Sequence, residues 1–302
     1  MSFNIVNIPS QKGRTAIVTG ANVGLGYETT IALSKKHIHV IMACRNIKKA
    51  QLAKENIIKI NPTASLEIMI LDLNSLKSVR EFADSFKANH KKLDLLINNA
   101  GIMIPPFGKT EDGFESQLGV NHLSHFLLTG LLLPILENTE NARIISLSSI
   151  AHKSAKINFD NLNSENSYKK MEAYGQSKLA CLIFSYELDR KLKKSGSKVK
   201  SLAAHPGVSN TDLGRHVPKF LYTILLPLIS LFSHSPENAA MPTLYAALGE
   251  DLEGGMYIGP TSFNEMKGKP GIVKSTPLSH NREIAQQLWT VSEKLTHINY
   301  LT

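Results

Sequence analysis

Tyr174 and Lys178, in the stretch "AYGQSKLACLIF" (173–184), are the residues whose types and spacing point most directly to chemistry. Side chains four residues apart lie on one face of a helix, so the two can act together. A free tyrosine has a pKa of about 10, and a lysine ammonium beside it favours the phenolate and lowers that pKa. The pair is therefore either an acid–base pair facing a pocket or two polar residues on a solvated helix face.

Two hydroxyl groups precede this pair in the stretch "SLSSIAH", where Ser148 and Ser149 end a run that is predicted to be a strand. A hydroxyl at the carboxyl edge of a sheet can orient a substrate carbonyl and donate a hydrogen bond to the oxyanion that develops there. Tyr174 would then protonate the same oxygen. This combination favours the acid–base interpretation of Tyr174 and Lys178.

The glycines of "TGANVGLG" indicate a phosphate-binding turn near the start of the chain. Gly20, Gly24 and Gly26 follow a predicted buried strand and precede a predicted helix. Glycines in this position permit a tight turn, close approach of the backbone to a pyrophosphate, and close packing of helix on strand. The helix N-terminus then offers free N–H groups to the phosphate. A dinucleotide cofactor is the ligand that this arrangement predicts.

The ends of the next three predicted strands bear on which dinucleotide is bound. Arg45, in "ACRN", stands where an NAD site places Asp or Glu; an arginine there pairs with a 2′-phosphate, and no acid there repels it. The sequence therefore predicts NADPH over NADH. Asp72, in "LDLN", either bonds the adenine amino group or caps the following helix. The small residues of "NNAG" (98–101) let the backbone approach a ligand.

The elements that must position these residues alternate between apolar, β-branched runs and longer helical patterns. Strands are predicted at 15–19, 38–44, 66–71, 93–98, 142–148, 198–204 and 254–259. Helices are predicted near 24–36, 46–60, 74–89, 112–137, 171–195, within 212–248, and near 280–296. This alternation predicts an α/β fold: one doubly wound (Rossmann) domain over residues 1–302, with a parallel seven-stranded sheet and a small helical substrate lid at 209–235.

Composition narrows the class of protein further. The 302 residues carry a net charge of +9, but the lysines occur as scattered pairs, which favours a solvated surface and no nucleic-acid partner. Two separated cysteines and scattered histidines predict no disulfide and no metal site, and they favour the cytoplasm. The apolar run "FLYTILLPLISLF" (220–232) is shorter than the roughly 20 residues that span a bilayer. It favours a buried or pocket-covering helix over contact with a membrane interface.

Along residues 12 to 298 the chain resembles the short-chain dehydrogenase/reductase superfamily, and within it the retinol dehydrogenase-like branch and its bacterial oxidoreductase relatives. The resemblance rests on stretches in the same order as in that family, including the spacing TGxxxGxG. These stretches are "GRTAIVTGANVGLGYET", "VIMACRN", "LDLNSLKSVREFA", "LDLLINNAGIM", "DGFESQLGVNHLSHFLLT", "ISLSSIAH", "AYGQSKLACLIF" and "AAHPGVSNTDL".

The resemblance implies roles for individual residues. Tyr174 matches the family's proton donor and acceptor, Lys178 its partner on the nicotinamide ribose, and Ser149, with Ser148 as its neighbour, the carbonyl-orienting serine. Asn121, in "GVNHLSHF", matches the asparagine that holds a water in a proton relay, whereas His122, His125 and His152 are expected to be structural or solvent-facing. The implied cofactor-binding residues, with Thr211 as a further candidate, are Gly20, Asn22, Gly24, Leu25, Gly26, Arg45, Asp72, Leu73, Asn99, Ala100, Gly101, Tyr174, Lys178, Pro206, Gly207 and Val208.

The function expected from the residues and the resemblance is an NADPH-dependent carbonyl reductase or alcohol dehydrogenase for a lipophilic substrate. The stretch "GIMIPPF" (101–107) and the run 220–232 would supply apolar pocket walls, and the insert at 153–172 would form part of the same wall. The alternative is a catalytically silent NADPH-binding sensor with the same fold. The sequence leaves open the substrate, the direction of the reaction and the oligomeric state, for which the family allows a homodimer.

Overall fold

A central sheet of eight strands runs through the described residues, which are 3–208 and 234–301 of the computed structural model. Its strands are β1 (Thr15–Thr19), β2 (His39–Cys44), β3 (Leu66–Ile70), β4 (Leu95–Asn98), β5 (Arg143–Leu147), β6 (Lys200–Ala204), β7 (Tyr257–Ser262) and β8 (Lys267–Ile272). They are ordered β3-β2-β1-β4-β5-β6-β7-β8 across the sheet. β1 to β7 pair in parallel, and β8 pairs antiparallel with β7.

Seven helices cover the two faces of this sheet in the part of the chain that the structure describes. They are α1 (Gly24–Lys35), α2 (Ile47–Ile60), α3 (Leu76–Asn89), α4 (Ser116–Glu137), α5 (Lys170–Lys194), α6 (Pro236–Leu248) and α7 (Arg282–Thr296). Apolar residues of α3, α4, α5 and α7 pack on one face, and those of α1, α2 and α6 on the other. The prediction of a Rossmann-like α/β domain is therefore confirmed.

Strand β2 shows how the sequence builds this sandwich. Val40, Met42 and Cys44 belong to the core on one face, and Ile41 and Ala43 to the core on the other. Successive strand residues point to opposite faces, so a strand that is covered on both sides must be apolar at every position. The continuous run "VIMAC" meets that requirement, which is why such runs could be assigned to strands without a period-two pattern.

The predicted number of seven strands is wrong by one, because β8 was not foreseen. Its sequence "KGKPGI" has two lysines, two glycines and a proline, and it forms an exposed edge where a missing backbone donor is tolerated. Phe263, Asn264 and Glu265 connect it to β7 with three successive positive φ angles of 52°, 53° and 65°. Neither the strand nor this turn has the composition that predicts a hairpin.

Helix α4 is long and apolar enough to cross a membrane by length and composition, but 78% of its most apolar window is buried inside the protein. It contains a π-helical turn at Gly119–Leu123, and it packs in the core beside α3 and α5. The helix is therefore a core helix in this fold. The predicted lid over 209–235, with the run 220–232 and Thr211, lies outside the described residues except for positions 234 and 235.

Candidate active site

The topology places a crevice at the carboxyl ends of β1 and β4. The chain winds outward from β1 to β3 in one direction and from β4 to β7 in the other, so neighbouring strand ends diverge between β1 and β4. A cleft opens there. It is lined by Leu25, Asn99, Gly101, Ile102, Met103, Leu147, Ser148, Tyr174, Lys178 and Pro206. Six of these residues were predicted from the sequence to act in catalysis or cofactor binding, and they come from four separate segments of the chain.

The glycine turn after β1 packs tightly against α1. Gly20 and Gly24 have positive φ angles of 68° and 57°, which side chains disfavour. A Cβ on Gly26 would lie 2.4 Å from the Gly20 carbonyl oxygen and 2.5 Å from Asn99 Nδ2. Position 26 therefore has no room for a side chain. Asn22 and Leu25, in the same turn, are partly exposed.

Thr19, the last residue of β1, joins the glycine turn to the stretch after β4. Its hydroxyl oxygen accepts hydrogen bonds from the backbone N–H groups of Asn99 and Ala100, both at 2.9 Å. Asn99 Nδ2 in turn donates to the Thr19 carbonyl at 2.7 Å. Thr19 was not identified as a site residue from the sequence. A threonine that ends the first strand directly before the first glycine is the signal that could have identified it.

Residues expected on the adenosine side lie around the ends of β2 and β3. The Arg45 side chain is 72% exposed, and its Nη1 lies 4.0 Å from Asp72 Oδ1. No acid stands at the end of β2 itself, but the end of β3 brings Asp72 beside Arg45. Asp72 accepts a hydrogen bond from the Asn74 N–H at 2.9 Å, whereas Ser75 occupies the N-cap position of α3. Leu73 is buried, and its carbonyl accepts from Ser124 Oγ at 2.6 Å.

Tyr174 and Lys178 lie on α5 and both face the cleft. Tyr174 is 9% exposed and Lys178 is 6% exposed, so neither belongs to a solvated helix face. Lys178 Nζ donates to the Leu147 carbonyl at 3.1 Å and lies 6.0 Å from the centre of the Tyr174 ring. A Cβ on Gly101 would meet Lys178 Nζ at 3.2 Å, so the lysine reaches across to the backbone that follows β4.

The two serines after β5 differ in what they contact. Ser148 is buried, lines the cleft, and donates from Oγ to the Lys178 carbonyl at 2.8 Å. Ser149 is half-buried and caps the 3-10 helix Ile150–Ser154, with its Oγ accepting from the Ala151 N–H at 3.2 Å. The Ser148 hydroxyl thus donates its hydrogen bond to the backbone of α5. The Ser149 hydroxyl oxygen accepts from one backbone N–H among the described residues.

Asn121 lies within the π-helical turn of α4 and is 2% exposed. Its Oδ1 accepts from the Ile102 N–H at 2.8 Å, and its Nδ2 donates to the Ile102 carbonyl at 3.0 Å and to Ser177 Oγ at 2.9 Å. The side chain therefore fixes the segment after β4 against α5. Its backbone carbonyl is approached by Cys181 Sγ at 3.1 Å and by His125 Nδ1 at 3.0 Å.

His122, His125 and His152 are all buried. Of the two expectations for them, a structural role therefore agrees with the structure, and a position facing the solvent does not. His125 bridges the Asn121 carbonyl and Thr19 Oγ1, the latter at 3.0 Å, and His122 contacts Ser292 Oγ at 2.8 Å. Burial lowers the pKa of His122 to about 3 and that of His125 to about 4. Both rings are neutral at pH 7, so they act through hydrogen bonds and not as positive charges.

The stretch after β6 is held by the turn between β7 and β8. Gly207 has a φ of 75°, and a Cβ there would lie 2.4 Å from the Met266 carbonyl oxygen. Val208 donates to that same oxygen at 3.0 Å. Pro206 lines the cleft, while Gly207 and Val208 lie beyond it. The unforeseen β8 hairpin therefore supports the segment that the family resemblance assigns to the nicotinamide.

Glu265, in that turn, was not identified from the sequence. Its carboxylate lies 2.9 Å from Lys153 Nζ and 3.3 Å from Nε2 of the buried His205. Burial raises the pKa of Glu265, but the contacts with His205 and Lys153 outweigh it and hold that pKa below its usual value. One carboxylate thus joins the segment after Ser149 to the segment before Pro206. Only the fold brings these residues together.

The insert at 153–172 lines a separate cavity beside α5. This cavity shares no lining residue with the catalytic cleft. The insert reaches the apolar stretch 101–107 through Tyr168, whose hydroxyl donates to the Pro105 carbonyl at 2.8 Å and whose ring lies 5.2 Å from that of Phe107. The insert therefore contacts the stretch 101–107, and none of its described residues lines the cleft.

A phosphate turn at the switch point of a doubly wound sheet, with a buried tyrosine and lysine across the crevice, defines a dinucleotide-binding protein of the Rossmann class. The chain belongs to the short chain dehydrogenase family, whose family model matches residues 14–220. Members of this family are oxidoreductases that bind a nicotinamide cofactor and act on CH–OH groups. The resemblance to the retinol dehydrogenase-like branch is thereby confirmed.

Relatives and solved structures support the same assignment. The chain is 43% identical over 290 residues to human retinol dehydrogenase 13, covering 94% of this chain and 84% of that protein. It is 40% identical to mouse retinol dehydrogenase 12, covering 98% and 89%. A crystal structure of an uncharacterized protein from Mycobacterium paratuberculosis has a TM-score of 0.84 and 38% identity, covering 99% of each chain. A short chain dehydrogenase from Escherichia coli CFT073, complexed with NADPH, shares the fold at a TM-score of 0.61 and 22% identity, covering 82% and 95%.

Proposed function

We propose that this protein is an NADPH-dependent oxidoreductase that interconverts a carbonyl and an alcohol on a lipophilic, retinoid-like or long-chain substrate. The observation that carries the proposal is the pair Tyr174 and Lys178, both buried and both lining the cleft at the switch point. A solvated pair would support only a structural role. Buried at the mouth of a dinucleotide site, the pair is placed for proton transfer.

The residues around the glycine turn fit a dinucleotide. A side chain at Gly26 would clash with the Gly20 carbonyl oxygen, and α1 begins at this turn, so backbone N–H groups are offered to a pyrophosphate. Arg45 is exposed at the end of β2, where its guanidinium can pair with a 2′-phosphate. Asp72 lies within 4.0 Å of Arg45 and opposes that attraction, so cofactor selectivity is the sharpest test of this part of the proposal.

The chain's own groups have the following roles in the proposed reaction. When bound, NADPH supplies a hydride to the carbonyl carbon. Ser149 Oγ donates a hydrogen bond to the substrate oxygen and orients it. The Tyr174 hydroxyl donates its proton to that oxygen, and Lys178, fixed on the Leu147 carbonyl, favours the phenolate that remains. Asn121 positions the Ile102 backbone and holds α4 against α5.

The lipophilic substrate is supported by the cleft wall and by the relatives. Ile102 and Met103 line the cleft directly, and the relatives named above are retinol dehydrogenases. Free, buried Cys44 and Cys181 are the support for a cytoplasmic location, where thiols stay reduced.

The experiment is steady-state turnover with a panel of carbonyls, from short aldehydes to retinal and steroid ketones, with NADPH and NADH in parallel and the product identified by mass spectrometry. We expect turnover that is faster with NADPH and greatest for apolar substrates, and that is lost in Ser149→Ala. Tight NADPH binding without turnover of any substrate would instead support the silent sensor. No binding of either cofactor would sink the proposal.

A further inference from the structure

A second cluster of chemically capable side chains lies at the opposite end of the sheet from the cleft. His39 is the first residue of β2, Glu67 lies in the edge strand β3, and His90 follows the last residue of α3. Positions 39, 67 and 90 show no ligand spacing in the sequence, so the expectation from the sequence is that no metal binds. The fold nevertheless brings one ligand atom from each residue within 4.8 Å of the others.

The separations match those that a small divalent ion imposes. His39 Nε2 lies 3.5 Å from Glu67 Oε2, and His90 Nε2 lies 3.4 Å from the same oxygen. Zinc bonds of about 2.0–2.1 Å in tetrahedral geometry separate neighbouring ligand atoms by roughly 3.3 Å. Even with the two nitrogens at the 4.8 Å limit, a point exists about 2.4 Å from all three atoms. Small side-chain adjustments then suffice for coordination.

The two imidazole rings are already held in orientation. His39 Nδ1 is 2.7 Å from Ser65 Oγ, which leaves Nε2 directed at Glu67. The His90 ring stacks on Phe86, with ring centres 4.6 Å apart and an angle of 17° between the planes. Metal-binding histidines commonly use their second nitrogen to fix ring orientation, as His39 does with Ser65. Little conformational entropy is therefore left to lose when an ion binds.

One atom of the cluster lacks a hydrogen-bond partner among the described residues. His90 Nε2 is buried, and it makes no hydrogen bond in the part of the chain that the structure describes. Its contact with Glu67 Oε2 lacks hydrogen-bond geometry. A buried polar atom without a partner is unusual in a native protein and calls for an explanation such as an ion. The partly exposed ion pairs of Glu67 with His39 and His90 would by themselves contribute little to stability.

We propose that His39, Glu67 and His90 bind a zinc ion, with the fourth position open to solvent on the Glu67 side, where that side chain is 41% exposed. The ion would tie the edge strand β3 to β2 and to the end of α3. Because His39 is at the amino end of β2 and the cleft is at the carboxyl ends of the strands, the ion lies away from the cleft and takes no part in the proposed reaction. The site is independent of the proposed function.

The test is zinc titration by calorimetry of the chain without a polyhistidine tag, after removal of metals with a chelator. Wild type is compared with Glu67→Gln and His90→Gln, and with the control His37→Asn, which changes a neighbouring exposed histidine at a φ of 63° that asparagine tolerates. We expect one zinc per chain, a Kd at least about tenfold weaker in each ligand variant, and a control within about twofold of wild type.

Two further measurements keep the result decisive. Circular dichroism of the metal-free variants establishes that they are folded, and visible absorption of added Co²⁺ reports four-coordinate geometry. Zinc at 100 times the wild-type Kd should raise the Tm of wild type and control by roughly 4 °C, and that of each ligand variant by at most about half as much. Wild type that binds no zinc, or folded variants that bind it as wild type does, would overturn the proposal.

Discussion

Replacing Gly26 with alanine tests whether the glycine turn is built to hold a pyrophosphate. The added methyl group would lie 2.4 Å from the Gly20 carbonyl oxygen and 2.5 Å from Asn99 Nδ2. An ordinary carbon contact is about 3.5 Å, so either the turn or α1 must move by about 1 Å. Overpacking of this kind costs about 1–3 kcal/mol of stability.

The same displacement should weaken cofactor binding. Moving the turn by about 1 Å disrupts at least one charge-assisted hydrogen bond from a backbone N–H to phosphate, which is worth about 1.5–3 kcal/mol. Gly26→Ala should therefore raise the Kd for NADPH by about 10- to 100-fold. The assay is a titration of NADPH fluorescence, run beside urea denaturation so that the change in affinity is separated from the change in stability.

Gly108→Ala is the matched control, because a Cβ at Gly108 meets nothing within 4 Å. It should change the NADPH Kd by less than about twofold and leave the urea midpoint close to that of wild type. If Gly26→Ala also binds NADPH within twofold of wild type at an unchanged midpoint, the turn does not cradle the cofactor and the reasoning is refuted.

Three other predictions follow from the site. Arg45→Ala should weaken NADPH by about 10- to 100-fold and leave NADH nearly unchanged in parallel titrations, because only NADPH carries the 2′-phosphate; equal losses for both cofactors would contradict this. Because burial lowers the pKa of His122 to about 3 and of His125 to about 4, the unfolded chain binds more protons than the folded chain below pH 6.5. The free energy of unfolding, measured by urea denaturation, should therefore fall as the pH drops below 6.5, by about 2 kcal/mol per histidine at pH 5. An unchanged urea midpoint at pH 5 would argue against buried neutral rings. Glu265→Gln should lower kcat more than it weakens NADPH, since it loosens the segments that flank the serines and Pro206; a variant with wild-type kcat would show that this carboxylate has no positioning role.

The sequence predicted the parts of the fold that depend on continuous apolar runs. β2 is an example, because a strand covered on both faces needs every residue of "VIMAC" to be apolar. Strand β8 could not be predicted in this way, since a segment with polar residues and a proline is compatible with an exposed edge strand and equally with a loop.

The candidate site divides along similar lines. Tyr174 and Lys178 could be identified because their spacing is local, within two turns of one helix. Asp72 beside Arg45, and Glu265 between Lys153 and His205, depend on contacts between segments far apart in the chain. The zinc ligands at 39, 67 and 90 are of the same kind. Sequence spacing carries no information about such contacts until the sheet order is known.

The most direct test of the central claim is NADPH oxidation by wild type and by Tyr174→Phe with the best carbonyl of the panel. The phenyl ring keeps the shape of the tyrosine and removes only the hydroxyl that would donate the proton, so NADPH binding should persist within about twofold. Turnover should fall by about 10²- to 10⁴-fold, the usual contribution of a positioned proton donor. Wild-type turnover in Tyr174→Phe would contradict the assignment of Tyr174 as that donor and, with it, the proposed mechanism.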